Sequence, residues 1–100
     1  MKVLYSPQVN DNSVIEYSFT DDKVIATLNG ETDTFDFTGM PNVELNPQED
    51  IETELDINPF IRVWREKGVL HLELLKFIQP NAPHEDKFPD WIEVKSNGKD

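Results

Sequence analysis

Three carboxylates fall within six residues in the stretch G-E-T-D-T-F-D-F: Glu31, Asp33 and Asp36. Oxygen ligands at that density suit a hard cation, and the same spacing suits the polar positions of a strand. The two histidines, His71 and His84, are the other side chains able to move a proton or hold a metal near neutral pH. His71, in L-H-L-E, has Glu73 two residues further on as a partner for general-base work or ligation, and His84, in P-H-E-D, is followed directly by Glu85 and Asp86. Arg62 and Trp64, with His71 and Glu73, make a set of a different kind, since arginine and tryptophan are the residue types that dominate protein interfaces. There is no cysteine, which excludes disulfides and thiolate metal sites.

Turn chemistry decides which of these groups can meet. Asn29-Gly30 is the strongest local signal, because both central positions of a type I′ turn need positive φ. A two-residue loop there sets Leu28 against Glu31, Ala26 against Asp33, Val24 against Phe35 and Lys23 against Asp36. A second two-residue loop at Asp21-Asp22 sets Phe19 against Val24, Tyr17 against Ala26 and Ile15 against Leu28. The two registers agree: Ile15, Tyr17, Phe19, Val24, Ala26, Leu28, Phe35 and Phe37 gather on one face. Glu16, Ser18, Thr20, Lys23, Thr27, Thr32, Thr34 and Asp36 gather on the other, with Ile25 as the apolar intruder.

On this meander Asp36 projects to the wet side opposite Lys23, while Glu31 and Asp33 lie on the other side, so the three carboxylates do not converge. The stretch also lacks the alternating acids around a glycine and the distal bidentate glutamate of a calcium loop. Strand polarity is the better account of it, with Asp33 beside Ala26 as a polar misfit on the apolar face.

Lys67-Gly68 predicts a second hairpin, with Glu66 facing Val69, Trp64 facing His71, Arg62 facing Glu73, Val63 facing Leu72 and Ile61 facing Leu74. Ile61, Val63, Leu70, Leu72 and Leu74 form an aliphatic side that packs on the meander, and Arg62, Trp64, His71 and Glu73 occupy the other. Alternation breaks at Leu74-Leu75, which indicates a bulge or a strand covered on both faces. His71 and Glu73, two apart on one strand, are neighbours rather than converging groups; a wet-face pair with Trp64 is the plainer reading of His71, and a solvated turn that of His84. The outer face is either open to a partner or closed over by a proline-rich loop with Phe77, Phe88 and Trp91.

Between the hairpins, Asn46-Pro47 with Glu49 reads as an N-cap, a proline at the first helical position and a capping acid, and predicts a helix from about Pro47 to Leu55 with an acidic loop as its rival. Glu44, Glu49, Asp50, Glu52, Glu54 and Asp56 fall within thirteen residues with no base among them. They are read either as a solvated face or as a mimic of nucleic-acid phosphates, and their spacing does not follow the phosphate repeat. Pro7, Pro41, Pro47, Pro59, Pro80, Pro83 and Pro89 are read as lying outside the alternating runs. Val3 to Tyr5 and Trp91 to Val94 read as short strands at sheet edges, Ile78 to Asp90 as an irregular loop, and Ser96 to Asp100 as a frayed tail.

With 100 residues the chain has the size of one domain, here residues 1–95, and is expected to be mainly β, an antiparallel meander with a second hairpin packed on it. Twenty acids against nine bases give a net charge of −11, which disfavours direct contact with nucleic acid or anionic membranes. The N-terminus M-K-V-L-Y-S-P carries no signal-peptide core and no segment has the length of a membrane span, so a cytoplasmic location is expected. No G-x-S-x-G, phosphate-binding loop, dinucleotide fingerprint or H-E-x-x-H occurs. No catalytic residue, metal ligand or cofactor is therefore assigned, and an enzyme built on carboxylates and histidines ranks last among the readings.

The segments K-V-L-Y-S-P, D-T-F-D-F followed by M-P, G-V-L-H-L-E-L-L and N-A-P-H-E-D-K-F-P together resemble a group of small uncharacterised phage and prophage proteins encoded near tail genes. The likeness spans roughly residues 1 to 95; the acidic stretch Asn42 to Asn58 departs from it. It implies a viral or prophage origin, a bacterial cytoplasmic or virion-associated location, and a non-enzymatic accessory or tail-assembly role through contact with a protein such as a tail component. The alternative is an acidic, nucleic-acid-mimicking inhibitor of a basic host protein.

Overall fold

The structure, a computed structural model, describes residues 1–87 and 89–94. Its elements run β1 (Lys2–Val9), β2 (Ile15–Thr20), β3 (Lys23–Leu28), β4 (Glu31–Asp36), β5 (Glu44–Leu45), α1 (Pro47–Asp50), β6 (Phe60–Glu66), β7 (Val69–Ile78), α2 (His84–Lys87) and β8 (Ile92–Glu93). They build a mainly β architecture of two sheets: three antiparallel strands in the order β2-β3-β4, and five mixed strands in the order β5-β6-β7-β1-β8. The tail expected at 96–100 and the aromatic cover expected from Phe88 lie outside the described residues.

The meander has the register that its turns predict: Lys23 pairs with Asp36, Val24 with Phe35 and Ala26 with Asp33, and on the other side Phe19 pairs with Val24 and Ile15 with Leu28. Asn29 and Gly30 both have positive φ, 49° and 90°, as do Lys67 and Gly68 at 51° and 80°, so each central dipeptide takes the primed-turn backbone that its composition favours. Val24, Ala26, Leu28 and Phe35 turn inward and meet Val63, Leu70, Leu72 and Leu74 of the other sheet in one core.

The second hairpin departs from its expected register at the open end. Phe60, not Ile61, pairs with Leu74, and the irregularity lies on β6 between Phe60 and Arg62. The extra residue lets Phe60 enter the core at 1% exposure while Ile61 stays exposed, because an aromatic ring buries more apolar surface there. Leu75 is buried too, so this part of β7 is covered on both faces.

β1 is longer than expected and is an edge only past Val3, on one side. It lies between β7 and β8, parallel to β7 from Lys2↔His71 to Val9↔Ile78 and antiparallel to β8 only at Lys2 and Val3. Pro7 therefore sits inside a strand, contrary to the expectation that every proline lies outside the runs. It is tolerated because β8 has ended by that point and β1 is an edge on that side.

The expected helix from Pro47 to Leu55 is a single turn, Pro47–Asp50. Asn46 does cap it, its Oδ1 accepting from the Gln48 N–H at 3.1 Å, and the reciprocal acid is Asp50, whose Oδ2 accepts from the Asn46 N–H at 2.8 Å, rather than Glu49. Ile51 is already extended, with φ −119° and ψ 115°. Two side chains four residues apart anchor a helix weakly, and the extended path instead delivers Leu55 to the core at 7% exposure. The proline-rich loop likewise holds one helical turn, α2.

The same path explains Asp33. Its Oδ2 accepts from the Thr53 hydroxyl at 2.8 Å and the Glu54 N–H at 3.1 Å, and its Oδ1 from the Thr34 N–H at 2.9 Å. Partial desolvation pushes its pKa up, but these three hydrogen bonds outweigh it and hold the carboxyl below its usual 3.8. A lowered folded-state pKa means that the stabilisation is present above the unfolded value and is lost as pH falls through the folded one. Asp33→Ala is expected to cost about 2 kcal/mol at pH 7, the scale of hydrogen bonds to a charged acceptor. In urea titrations the gap between variant and parent closes below about pH 4; a gap unchanged at pH 2.5 removes the carboxylate from the account.

Candidate functional site

The outer face of the five-stranded sheet gathers the residues whose types suit recognition. Strand registers place Glu44 beside Trp64, Trp64 beside His71, His71 beside Lys2 and Lys2 beside Glu93, a continuous row across all five strands. Arg62 and Glu73 are paired alongside it. The row reads acid, aromatic, imidazole, base, acid.

The aromatic part is preorganised. The Trp64 and His71 rings stack with centroids 4.9 Å apart and planes at 8°. Trp91 sets its ring nearly perpendicular to both, at 5.6 Å from Trp64 and 5.8 Å from His71, the edge-on arrangement that aromatic quadrupoles favour. The Arg62 guanidinium carbon lies 4.5 Å from the centroid of the Trp64 ring. Glu44 holds that guanidinium from β5, 3.4 Å from Oε2 to Nε. The His71 Nδ1 lies 3.0 Å from the Val69 carbonyl oxygen. A carbonyl can only accept, so Nδ1 carries a proton and donates.

All four expected residues therefore share one face, and the structure brings Arg62, Trp64 and His71 into contact. Glu73 is cross-strand from Arg62, yet the hydrogen-bonded partner of Arg62 is Glu44. Cover on this face comes from Trp91, which leaves the Arg62 side chain 53% exposed and Trp64 half-buried. Sequence reasoning placed Trp91 in a lid or an edge strand and Glu44 among the acids of the connection, and joined neither to the site, because the two-residue strand β5 pairs with β6 across a connection that carries no local signal.

For proton-transfer chemistry the arrangement offers little. No hydrogen bond joins His71 to Glu73, and the Nδ1 of His71 is committed to the main chain. His84 opens α2 as an exposed residue. Among the described residues no group of three or more His, Asp or Glu side chains is arranged to hold a metal ion. Two of the acids between Glu44 and Asp56 are engaged within the chain, Glu44 with Arg62 and Asp50 with the Asn46 N–H. Among the described residues no helix is long and apolar enough to cross a membrane.

No family model, curated protein or solved structure matches this chain.

Proposed function

We propose that this protein is a non-enzymatic accessory protein that acts by binding another protein through the face carrying Arg62, Trp64, His71 and Trp91. One observation carries the reading: an exposed guanidinium, a tryptophan and an imidazole are locked together by stacking and by Glu44 before any partner arrives. Preordering removes the side-chain entropy that binding otherwise costs, and Arg and Trp are the residue types whose truncation most weakens interfaces. Lys2 in the row and Arg62 beside it make this face less acidic than the net charge of −11 implies, so it favours a partner of mixed charge. The sequence resemblance to small phage and prophage proteins points to a virion tail component as that partner, met in the bacterial cytoplasm during assembly.

The test is co-purification of tagged protein with tail components from prophage-induced cells. Trp64→Ala and Arg62→Ala, each checked for folding by circular dichroism, are expected to cut recovery at least tenfold, the consequence of losing about 2 kcal/mol at a hot spot. If both variants leave every such complex intact, this face is not the contact. The acidic-decoy alternative makes a separate prediction: salt-sensitive binding to a basic host protein, abolished when the acids from Glu49 to Asp56 are neutralised.

A further inference from the structure

The open edge of β4 is a second place where a partner can add to this fold. A two-residue turn makes Leu28 and Glu31 the first hydrogen-bonded pair, so the pairs Ala26/Asp33 and Val24/Phe35 follow, and the Phe37 N–H continues the ladder onto the Asp22 carbonyl at 2.9 Å. The main-chain groups of Thr32, Thr34 and Asp36 therefore point away from β3, and among the described residues no strand lies beyond β4 in its sheet. The Thr34 N–H turns back to Asp33 Oδ1. This leaves the N–H and carbonyl of Thr32, the Thr34 carbonyl, and the N–H and carbonyl of Asp36 directed outward.

Other edges of the fold are managed. β5 and β8, which end the five-stranded sheet, are two residues each, too short to template a strand, and where β1 outruns β8 it carries Pro7. β2 runs beside β7, where the Tyr17 hydroxyl donates to the Leu75 carbonyl. β4 has six residues, and apart from the contacts of Thr53 and Glu54 with the Asp33 side chain it has no such guard among the described residues.

A groove of about 460 Å³ follows this edge from Thr34 to Met40, with Leu45 and residues 50–52 as its far wall. Met40, Leu45 and Ile51 contribute apolar lining, each partly buried against the core. Its rims carry exposed Asp36 on one side and exposed Asp50 and Glu52 on the other, and among the described residues no lysine or arginine lines it. Two bases lie next to it without lining it: Lys23, cross-strand from Asp36, and the inward-pointing Arg65, whose guanidinium is held by the Phe37 carbonyl and Asp22. Asp50 gives one carboxylate oxygen to the Asn46 N–H, which orients it on the rim.

We propose that this groove binds an extended, basic segment of another protein, which adds as a strand alongside β4. Its alternate side chains divide as a strand's must: aliphatic ones settle over Met40, Leu45 and Ile51, and lysine or arginine lies beside Asp36 on the wet face and along the Asp50–Glu52 rim. The groove shares no residue with the Arg62–Trp64–His71 set, so the two contacts can be tested separately.

The probe is the blocked peptide Lys-Val-Lys-Leu-Lys-Val-Lys, titrated into 15N-labelled protein at 0.15 M salt. Expected are amide shifts centred on Thr34, Asp36 and Thr38 with Kd on the order of 0.1 mM. N-methylation of every second peptide amide should abolish binding in one phase and spare it in the other, because only alternate amides face β4. Asp50→Asn with Glu52→Gln should weaken binding at least fivefold, and a glutamate-for-lysine peptide should not bind. The proposal is overturned if no shifts occur, if shifts spread over the acids without β4, if both N-methylated phases bind alike, or if sedimentation shows a second copy of the chain already seated on this edge.

Discussion

Phe60→Ala is expected to remove about 3–5 kcal/mol of unfolding free energy, the range for deleting a fully buried aromatic ring. Phe60 opens β6 in the five-stranded sheet, and its ring meets two rings from the end of the three-stranded one: Phe35 edge-on at 4.7 Å and Phe37 at 5.5 Å. The loss is therefore not a cavity inside one layer but the removal of the contact that joins the layers. For a chain of this size each kcal/mol moves Tm by roughly 5 °C, so a fall on the order of 15–25 °C should appear in thermal denaturation followed by circular dichroism. Phe60→Leu, which keeps most of the volume and loses the edge-on contacts, should cost less than half as much. A loss below about 1 kcal/mol for the alanine variant would place the joint between the sheets elsewhere.

This joint also marks where sequence reasoning stops. A two-residue loop dictates pairing on both sides of itself, so Val24↔Phe35 and Trp64↔His71 were legible from Asn29-Gly30 and Lys67-Gly68 alone. The break in alternation at Leu74-Leu75 correctly flagged an irregularity, but the extra residue sits across from it, on β6. Alternation in one strand cannot say which partner absorbs a mismatch; the volume of Phe60 decided it. The parallel pairing of β1 with β7 joins segments from opposite ends of the chain with no turn between them, and the run K-V-L-Y-S-P-Q-V carries no mark of which strand it meets. Asp33 read as a misfit because its partners, Thr53 and Glu54, lie on a connection expected to be helical. Three of the four residues chosen for recognition do assemble. Their anchors Glu44 and Trp91 arrive from β5 and from just before β8, placements that depend on tertiary contacts.

Arg65, which drew no attention as a sequence feature, carries the second large effect. It points inward from β6, its side chain only 11% exposed, and binds across the sandwich: Nη2 donates to Asp22 Oδ2 at 3.2 Å and to the Phe37 carbonyl at 3.0 Å, and Nη1 donates to the Gly68 carbonyl at 3.1 Å. One guanidinium thus ties the β2–β3 turn, the exit of β4 and the β6–β7 turn, while its Nε is buried without a hydrogen-bond partner. A charge held there with one donor unmet is tolerated because the other donors are matched by a carboxylate and two carbonyls. Arg65→Ala should cost about 2–4 kcal/mol, since it strands the Phe37 carbonyl and Asp22 together. Asp22→Ala should cost clearly less, because the Asp22 side chain is 32% exposed and the guanidinium keeps its two carbonyls. Arg65→Lys recovers only part of the loss, because an ammonium is a point charge and cannot span three acceptors set out for a planar fork. Urea titrations of the three variants in parallel decide it. An order with Asp22→Ala the most damaging would make the ion pair, rather than the carbonyl contacts, the bond that closes this end of the sandwich.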